Sequence, residues 1–433
     1  MTELSVHFVP VRPGRLRARV PGSSVIVSDP GGGMGTHFAF VSMPAAGHVT
    51  PTLPLVTELV RRGHRVSYAT GDDMLDTVRA AGAEPVPAPF RMPDVPPPAP
   101  GAPASDEPRA PRIDAFAESV EQTFPVLTER FAADPPAAVC GDAMSPVTSL
   151  VAQRLHLPFV SLNPSFASNE HFSLRRDVMA RSPKASVFET AFRSVGERIA
   201  AFASTEGLRF DATEGFSCPG DLNLVFIPRE FQPAGDTFDG SFVFCGPSVA
   251  GRTGADDAWR PRDPDTPVLL VSLGTVFNDR PEFFRTCAEA FADDDRQVVM
   301  AIGDRTDPDD LGPLPDNVEA HPHVPQVQVL AHAAGFVTHN GMNSTMEALY
   351  LGVPQIGVPQ MPEQEANARR IEEIGCGRRL DPLTVDAASL RSTVDAVVGD
   401  VAVRNAVGAM STRLRASNGA VTGADALEAL VAA

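Results

Sequence analysis

The chain has 433 residues, of which 43% are hydrophobic and 21% are charged, and its formal net charge is −18. This length suffices for two or three domains, and the composition is that of a globular protein rather than a disordered or fibrous one. The negative charge argues against nucleic acid as a partner, because phosphates would be repelled.

The cysteines and the apolar runs indicate the compartment. The five cysteines are scattered and show neither CxxC nor His-rich metal spacing, which is typical of reduced thiols in a cytosol. No run approaches the roughly 18 apolar residues of a spanning helix, and the N-terminus lacks the features of a signal peptide. We therefore expect a cytoplasmic protein with no stable membrane insertion and no metal site.

Residues 1–35 are rich in Arg and Gly without periodicity, which predicts a flexible N-terminal extension. Whether translation starts at Met1 or at Met34 stays open. The run "GGGMG" (31–35) resembles a phosphate loop, but a strand follows it instead of preceding it. We therefore interpret this run as a linker.

A βαβ unit begins at Thr36. "THFAFVSM" predicts a buried parallel strand, "TPTLPLVTELVRRG" predicts a helix, and "HRVSYAT" predicts the next strand. Thr50 suits the N-cap of this helix, Pro51 suits its first residue, and Gly63 suits its end. His48 is therefore predicted to lie in the turn between the strand and the helix.

Residues 85–112 are crowded with prolines, which predicts no regular element, and both a plain surface loop and an acceptor-site loop stay open. A helix over about 113–132, the strand "AAVCGD", the helix "SPVTSLVAQRLHL" and the strand "PFVSLNPS" follow. Residues 166–215 then have a helical rhythm with several phenylalanines. These side chains either face the core or form the wall of an apolar substrate pocket: Phe166, Phe172, Phe188 and Phe192.

A second α/β half follows a break in the pattern. Residues 247–266 have much Gly, Pro and Asp and little apolar content, which predicts an interdomain linker. The alternation then restarts with the strand "VLLVSLGT", the helix "PEFFRTCAEAFA" and the strand "QVVMAIG". Two successive α/β halves of similar size predict two doubly wound domains that face a cleft.

His48 and Asp142 each follow or end a strand of the first half. Ligands of parallel α/β sheets bind beyond the carboxyl ends of the strands, so both residues are candidates for one site. An Asp that accepts the ring N–H would orient the imidazole and stabilise its charged form. The other ring nitrogen could then take a proton from a substrate hydroxyl. The alternative is a histidine with a purely structural role in the turn.

The run "FVTHNGMNSTMEALYLGVP" in the second half predicts a strand that ends at His339, a turn, and a helix that begins at Ser344 and Thr345. A helix N-terminus offers free N–H groups and a positive dipole end, which suits phosphate. His339 and Asn343 add donors, and Glu347 could accept bonds from a ribose. The alternative is an ordinary turn before a capped helix.

These runs resemble a known family. Residues 323–368, "HVPQVQVLAHAAGFVTHNGMNSTMEALYLGVPQIGVPQMPEQEANA", are similar to the signature of the family 1 nucleotide-sugar glycosyltransferases. "GHVTPTLPLVTELVRRGHRVSYAT" resembles the start of the same family, and "LLVSLGTVFNDRPEFFRTCAEAF" resembles bacterial macrolide glycosyltransferases in particular. The resemblance covers about residue 36 to the end of the chain.

The resemblance implies an α/β GT-B fold, in which two Rossmann-like domains with parallel sheets face a central cleft. The expected segments are a flexible extension over 1–35, an acceptor-binding domain over 36–246, a linker over 247–266 and a nucleotide-sugar-binding domain over 267–415. Residues 416–433 are expected to form a C-terminal helix that crosses back to the N-terminal domain.

The resemblance also implies roles for individual residues. The family's catalytic base corresponds to His48, and its partner acid corresponds to Asp142. The diphosphate-binding residues correspond to His339, Gly341, Asn343 and Ser344. The ribose-binding acid corresponds to Glu347, and the pair that holds the sugar hydroxyls corresponds to Glu363 and Gln364. The remaining positions that match donor-binding residues are Thr275, Val324 and Gln326, the last two beside the nucleobase.

Two positions depart from the family pattern. Members usually have Trp where this chain has His323, and that Trp stacks on uracil. An imidazole offers a smaller face, so stacking on the base is expected to weaken. Many members also have Asp-Gln where this chain has Glu363 and Gln364.

The expected activity is therefore that of an inverting, metal-independent UDP-glycosyltransferase, a hexosyltransferase without a cofactor. It would transfer a sugar, glucose from UDP-glucose, to a hydroxyl of a macrolide or similar hydrophobic natural product. One alternative is an antibiotic biosynthetic enzyme that uses a TDP-deoxysugar. Another is a non-catalytic auxiliary partner of a glycosyltransferase. The expected partners are the nucleotide-sugar donor and a hydrophobic small-molecule acceptor, and a homodimer is an open alternative for the assembly state.

Overall fold

The computed structural model describes residues 35–90, 110–181, 185–212, 218–247, 249, 259–275 and 278–433. The predicted N-terminal extension, up to Met34, lies outside these residues. So do most of the proline-rich segment and much of the predicted linker.

A first parallel sheet is formed by residues before the predicted linker. Its strands are β1 (His37–Val41), β2 (Arg65–Thr70), β3 (Glu84–Pro87), β4 (Ala138–Asp142), β5 (Phe159–Asn163), β6 (Leu222–Val225) and β7 (Phe242–Phe244). Their order across the sheet is β3-β2-β1-β4-β5-β6-β7. All neighbouring strands run parallel. The order reverses between β1 and β4, which defines a topological switch point there.

A second parallel sheet follows. Its strands are β8 (Val268–Ser272), β9 (Gln297–Ala301), β10 (Val318–His321), β11 (Ala333–Thr338), β12 (Gln355–Gly357) and β13 (Gly377–Arg379). Their order is β10-β9-β8-β11-β12-β13, again with all neighbours parallel. The switch point of this sheet lies between β8 and β11. Two parallel α/β sheets in succession confirm the predicted fold class.

Helices connect the strands and cover the sheets. Those of the first half are α1 (Ala46–Val49), α2 (Leu53–Arg61), α3 (Leu75–Ala80), α4 (Ala110–Ala133), α5 (Pro146–Leu155), α6 (Leu174–Arg181) and α7 (Ala185–Thr205). Those of the second half and the C-terminus are α8 (Pro281–Ala290), α9 (Gln326–Leu330), α10 (Met342–Leu351), α11 (Pro362–Glu373), α12 (Ala387–Gly399), α13 (Val401–Ala416) and α14 (Gly419–Ala432).

The strand sequences explain why both faces of each sheet are covered. All five residues of β1 are buried. Phe38 and Phe40 belong to one apolar cluster, with α2 and α14, whereas Ala39 and Val41 belong to another, with α4 and α5. Successive side chains of a strand point to opposite faces, so a continuous apolar run requires helices on both sides.

The phenylalanines that follow β5 contribute mainly to the core. Phe166 is buried and stacks on Phe231, with ring centroids 5.6 Å apart, and Phe172 packs edge-on against Phe166. Phe192 is half-buried, and Arg175 lies over its ring. The side chain of Phe188 lies outside the described part of the chain. The apolar cluster that contains Phe166 also includes residues of the second half, so it forms part of the contact between the two halves.

The segment around His48 differs from the prediction. Helical backbone begins at Ala46, so His48 lies in α1 rather than in a turn. Thr50 is the C-cap of α1 and not the predicted N-cap of the next helix. Pro51 and Pro54 lack the N–H groups that an uninterrupted α-helix would use. The chain passes through a 3₁₀ turn over Thr50–Thr52 before α2 begins at Leu53.

The proline-rich segment also differs in part. Residues 85–87 were predicted to have no regular structure, but Pro85 and Pro87 belong to β3. Among the described residues this strand pairs only with β2, at the edge of the sheet. An edge strand tolerates proline because the missing N–H groups need no partner on the open side.

The C-terminal helix α14 packs on the first half of the chain. Ala424 and Leu427 join the apolar cluster that includes Leu55 and Leu59 of α2. Arg62, at the end of α2, donates to Asp425 at 2.7 Å and to Glu428 at 2.9 Å. Throughout the described residues, no helix combines the length and apolar character needed to span a bilayer.

Candidate active site

The carboxyl ends of β1 and β4 bring two predicted residues together at the first switch point. His48 lies in α1, just after β1, and Asp142 is the last residue of β4. The two strands pair directly, with Val41 opposite Gly141. Nδ1 of His48 and Oδ2 of Asp142 form a short hydrogen bond. The topology thus explains how residues 94 positions apart meet.

The geometry of this pair leaves one imidazole nitrogen for chemistry. The Asp142 side chain is only 1% exposed, whereas the His48 side chain is 22% exposed. The second carboxylate oxygen of Asp142 accepts the backbone N–H of Met144 at 2.8 Å. The carboxylate is therefore held on both oxygens, and it holds Nδ1 of the ring. Nε2 is the nitrogen that can take a proton.

Electrostatics favour a basic His48. Burial, the largest single effect, lowers its pKa, but the charge of Asp142, the hydrogen bond to it and the charge of Glu363 together outweigh burial. The net result is a pKa above the ordinary value of a histidine. The charge of Glu363, a residue of the second half, therefore contributes to this shift.

A buried polar cluster anchors the helical turn that carries His48. The hydroxyl of Tyr68 on β2 lies 2.7 Å from Oγ1 of Thr52 and 2.9 Å from Oγ of Ser42. Thr52 also donates to the carbonyl of Val49 at 2.8 Å. Burial raises the pKa of Tyr68, so this ring stays a neutral hydrogen-bonding group. Sequence reasoning missed this cluster, although polar residues inside apolar strand runs were a visible signal.

The second switch point carries the predicted phosphate-binding turn. His339 follows β11, and Gly274 follows the neighbouring β8. A Cβ atom at Gly274 would lie 2.5 Å from Nε2 of His339, and one at Gly341 would lie 2.4 Å from the same atom. Gly274 also has a φ of +79°. Both positions require glycine because the imidazole occupies the space between them.

His339 is a neutral ring in this setting. Burial lowers its pKa to about 4. Its Nδ1 is buried and has no hydrogen-bond partner in the described part of the chain. Near neutral pH the ring therefore acts as a hydrogen-bonding group and not as a fixed cation.

A network of amide side chains behind the turn was not predicted. Asn340 has a φ of +57°, and its Nδ2 donates to Oε1 of Gln355 at 2.8 Å. Nδ2 of Asn367 donates to the carbonyl of Asn340 at 2.9 Å, and Nε2 of Gln355 donates to the carbonyl of Thr345 at 3.2 Å. Three buried amides thus fix the left-handed residue beside His339. The signal was a glutamine and an asparagine inside otherwise buried runs.

Helix α10 begins earlier than predicted, at Met342 rather than at Ser344. Asn343 and Ser344 therefore lie in its first turn, where backbone N–H groups lack partners within the helix. The Oγ of Ser344 accepts from Nε2 of Gln326 at 3.0 Å. Nε2 of Gln326 also donates to Oε2 of Glu347 at 2.7 Å. The structure thus joins Ser344, one of the predicted diphosphate residues, and Glu347, the predicted ribose residue, through Gln326.

Of the two positions predicted to lie beside the nucleobase, Gln326 belongs to this hydrogen-bonded group, whereas Val324 contributes to apolar packing. Val324 packs against the apolar cluster that includes Val329 of α9 and Phe336 of β11. His323 is exposed and contacts the carboxylate of Asp304 at 2.9 Å. Thr275 is exposed in the loop after β8. The exposed imidazole lies at the carboxyl edge of the sheet, just after β10.

The predicted sugar-holding pair lies in the first turn of α11. The Oε1 of Gln364 accepts the backbone N–H of Gln360 at 2.8 Å, so its NH₂ group is directed away from that bond. The Oε1 of Glu363 accepts from the hydroxyl of Ser165, which belongs to the first half, at 3.0 Å. Glu363 therefore presents an acceptor and Gln364 a donor.

Residues of both halves line a recess next to Asn343 and Glu347. Nδ2 of Asn343 donates to the carbonyl of Ala46, two residues before His48, at 3.4 Å. The recess is small, with a cavity volume of about 30 Å³. It is lined by Thr50, Pro51, Pro164, Phe226, Pro247, Val249, Asn343, Met346 and Glu347. Within the described ranges, no group of three or more His, Cys, Asp or Glu side chains is arranged to hold a metal ion.

Comparison with known proteins identifies the family of this chain. Residues 285–426 match the family described as "Erythromycin biosynthesis protein CIII-like, C-terminal domain". The chain is 38% identical to the NDP-glycosyltransferase YjiC of Bacillus licheniformis, over 92% of this chain and 98% of the relative. It is 35% identical to the demethyllactenocin mycarosyltransferase of Streptomyces fradiae, over 97% of this chain and 93% of the relative.

A solved structure is similar along the same length. The crystal structure of CalG4, the calicheamicin glycosyltransferase, superposes with a TM-score of 0.79 and is 36% identical, covering 91% of this chain and 98% of its own. These similarities extend through both sheets and are not confined to the C-terminal signature. The chain therefore belongs to the GT-B nucleotide-sugar glycosyltransferases, in the group that includes enzymes of antibiotic biosynthesis.

Proposed function

We propose that this glycosyltransferase is an inverting, metal-independent O-glycosyltransferase that moves glucose from UDP-glucose to a hydroxyl of a macrolide or similar hydrophobic natural product. The observation that carries the proposal is the hydrogen-bonded His48–Asp142 pair, and the charge of Glu363 in the second half also favours a high pKa of His48. A base on one side and a sugar-holding pair on the other is the arrangement that direct transfer requires.

The chemistry follows from the roles of these residues. Nε2 of His48 takes the proton from the acceptor hydroxyl while the oxygen attacks the anomeric carbon. The bond from that carbon to the diphosphate oxygen breaks, and the diphosphate leaves with the electron pair. Attack from the face opposite the leaving group inverts the anomeric centre. Asp142 stabilises the imidazolium that forms and keeps the ring oriented.

The donor half stabilises the leaving group. The N-terminus of α10 directs N–H groups and a positive dipole end toward the position proposed for the diphosphate. His339 and Ser344 are proposed to add neutral hydrogen bonds, and Glu347 to accept from the ribose. Such preorganised donors act where negative charge develops in the transition state.

Substitution of the base tests the proposal. His48→Ala should lower kcat for transfer to an alcohol by about 10²–10⁴-fold, the usual contribution of a general base. His64→Ala is the matched control. His64 precedes β2, at the amino ends of the strands and away from His48, and its imidazole contacts Glu428 of α14. Transfer by His48→Ala at the wild-type rate would remove His48 from the role of base.

The donor has a second candidate, a TDP-deoxysugar. The exposed His323 in place of a stacking Trp weakens the argument for uracil, and one relative is a mycarosyltransferase. A competition assay with UDP-glucose and a TDP-deoxysugar in one reaction separates the two donors. Turnover by the purified chain alone separates both from a non-catalytic auxiliary role.

The compartment proposed is the cytosol. None of the five cysteines forms a disulfide, and four of them are buried. Burial raises the pKa of Cys140, Cys245 and Cys287, so these thiols stay protonated and unreactive. Reduced, buried thiols are typical of a reducing compartment.

A further inference from the structure

One hydrogen bond joins the two halves at the sugar-holding pair itself. Ser165 follows β5 in the first half, and its hydroxyl donates to Oε1 of Glu363 in the first turn of α11 at 3.0 Å. Both side chains are half-buried. The family resemblance assigned a role to Glu363 but none to Ser165.

The loop that carries Ser165 is held firmly. Phe166, the next residue, is buried and stacks on Phe231. The backbone N–H of Ala167 donates to Oε1 of Gln232 at 2.9 Å, and Nε2 of Gln232 donates back to the carbonyl of Ala167 at 3.1 Å. The hydroxyl of Ser165 is therefore presented from a fixed backbone.

Helix α11 is also docked on the first half along its length. Arg369 forms an ion pair with Asp177 of α6 at 2.5 Å, and both side chains are about one fifth exposed. Arg370 donates to the carbonyl of Phe231 at 2.9 Å. The contact between Ser165 and Glu363 is thus the end of a longer interface, at the point where the donor sugar is proposed to bind.

We propose that Ser165 is a positioning residue for the donor sugar. Its hydroxyl fixes the Glu363 carboxylate from the acceptor side of the cleft. The affinity for the sugar part of the donor therefore depends on the contact between the two halves. This inference rests on the proposed function, since it takes Glu363 as a sugar-holding residue.

The physical reason is the freedom of a glutamate side chain. A half-buried glutamate loses much rotamer freedom when it is held in one geometry. Ser165 imposes that geometry before the sugar arrives, so less order has to be created on binding. A carboxylate accepts several hydrogen bonds, which leaves capacity for a sugar hydroxyl beside that of Ser165.

Calorimetric titration of the full chain with UDP-glucose and with UDP tests this inference. Ser165→Ala should weaken binding of UDP-glucose by about 3- to 10-fold, the value of one partly exposed charge-assisted hydrogen bond. It should leave the affinity for UDP unchanged, because UDP has no sugar for Glu363 to hold. Ser165→Thr keeps the hydroxyl and should bind both ligands as the wild type does.

Two further variants sharpen the result. Ser168→Ala removes a hydroxyl three residues further along the same loop and should change neither affinity. In a Glu363→Ala background, Ser165→Ala should have no further effect, because the two residues act as one unit. Equal weakening of UDP and UDP-glucose, or additive effects in the double variant, would overturn the positioning role.

Failure of the proposed function gives a different pattern. If the wild type binds TDP-glucose instead of UDP-glucose, the ratio of the affinities for TDP-glucose and TDP is measured in the same variants. If Glu363→Ala leaves the ratio of the affinities for UDP-glucose and UDP unchanged, Glu363 does not hold the sugar, and both the assignment of Glu363 and the inference fall. If only the variants deviate from expectation, the inference alone falls.

Discussion

The role of Asp142 can be tested by Asp142→Asn. In the structure its two carboxylate oxygens accept from two different donors, the ring of His48 and the backbone N–H of Met144. The substituted amide has one acceptor oxygen and one NH₂ group. It can therefore satisfy only one of the two donors, and it removes the negative charge in either orientation.

The expected loss follows from this arrangement. A hydrogen bond to a charged group contributes about 1.5–3 kcal/mol, and the carboxylate that makes it is almost completely buried. The imidazolium formed during transfer would lose that stabilisation, so kcat should fall by roughly 10- to 150-fold. Local rearrangement of the loop at Met144 would make the loss of kcat smaller but would not reverse it.

The pH dependence provides a second, independent readout. A general base is active when neutral, so kcat should rise with pH through the pKa of His48. Asp142 and Glu363 raise this pKa against the effect of burial. Without the Asp142 charge the pKa should fall, and the acid limb of the profile should move to lower pH. A lower plateau together with an acid limb at lower pH is the signature of this pair.

The assay is the initial rate of glucoside formation at saturating donor and acceptor, measured across the pH range. Asp134→Asn is the matched control, because Asp134 pairs with Arg65 and lies 3.7 Å from His37 at the opposite edge of the sheet. That variant should leave the kcat profile unchanged. An unchanged kcat in Asp142→Asn, or an acid limb displaced to higher pH, would refute the reasoning.

Two further predictions concern the donor half. Gly341→Ala should lower the free energy of unfolding by about 1–3 kcal/mol and weaken nucleotide binding, because the new Cβ would meet His339. Gly408→Ala is the control: a Cβ there has no atom within 4 Å, so this variant should raise the free energy of unfolding by about 0.5–1 kcal/mol. Equal unfolding free energies in urea would contradict both. Gln326→Ala should lower the free energy of unfolding by about 1–3 kcal/mol and weaken nucleotide binding, because the buried carboxylate of Glu347 loses a hydrogen-bond donor. Unchanged stability and affinity would show that this hydrogen bond is dispensable.

Much of the fold was predictable because burial on both faces leaves a simple pattern. The run "VLLVS" is apolar throughout and forms β8, at the centre of the second sheet. The predicted meeting of His48 and Asp142 followed from the rule that parallel strands end at one edge. Such rules use only the order of elements along the chain, and no atomic detail.

The errors were local and have local causes. Gly47 and the nearby prolines are typical of loops and therefore predict a non-helical turn at His48, whereas the structure has a short helix there. Pro85 and Pro87 were interpreted as excluding a strand, but their strand lies at an edge. Whether proline is tolerated depends on the position in the sheet, and the sequence alone does not contain that position.

Contacts between distant elements could not be predicted for a different reason. The bond from Ser165 to Glu363 joins residues 198 positions apart, and it depends on how two separately folded layers dock. The amides of Asn340 and Gln355 meet only because β11 and β12 pair in a particular register. A serine or a glutamine has many alternative partners, so its residue type does not identify one.

The two halves of the site differ in how strongly chemistry restricts their residue types. Phosphate recognition requires backbone N–H groups at close approach, and the imidazole of His339 fills the space that any side chain at Gly274 or Gly341 would need. That geometry admits few residues, so the donor half has a recognisable sequence. The proposed apolar acceptor would be bound mainly by shape, and apolar side chains of similar volume can replace one another without loss of burial. The proposed base, His48, can therefore be named from sequence, whereas the hydroxyl that it would deprotonate has to be found by experiment.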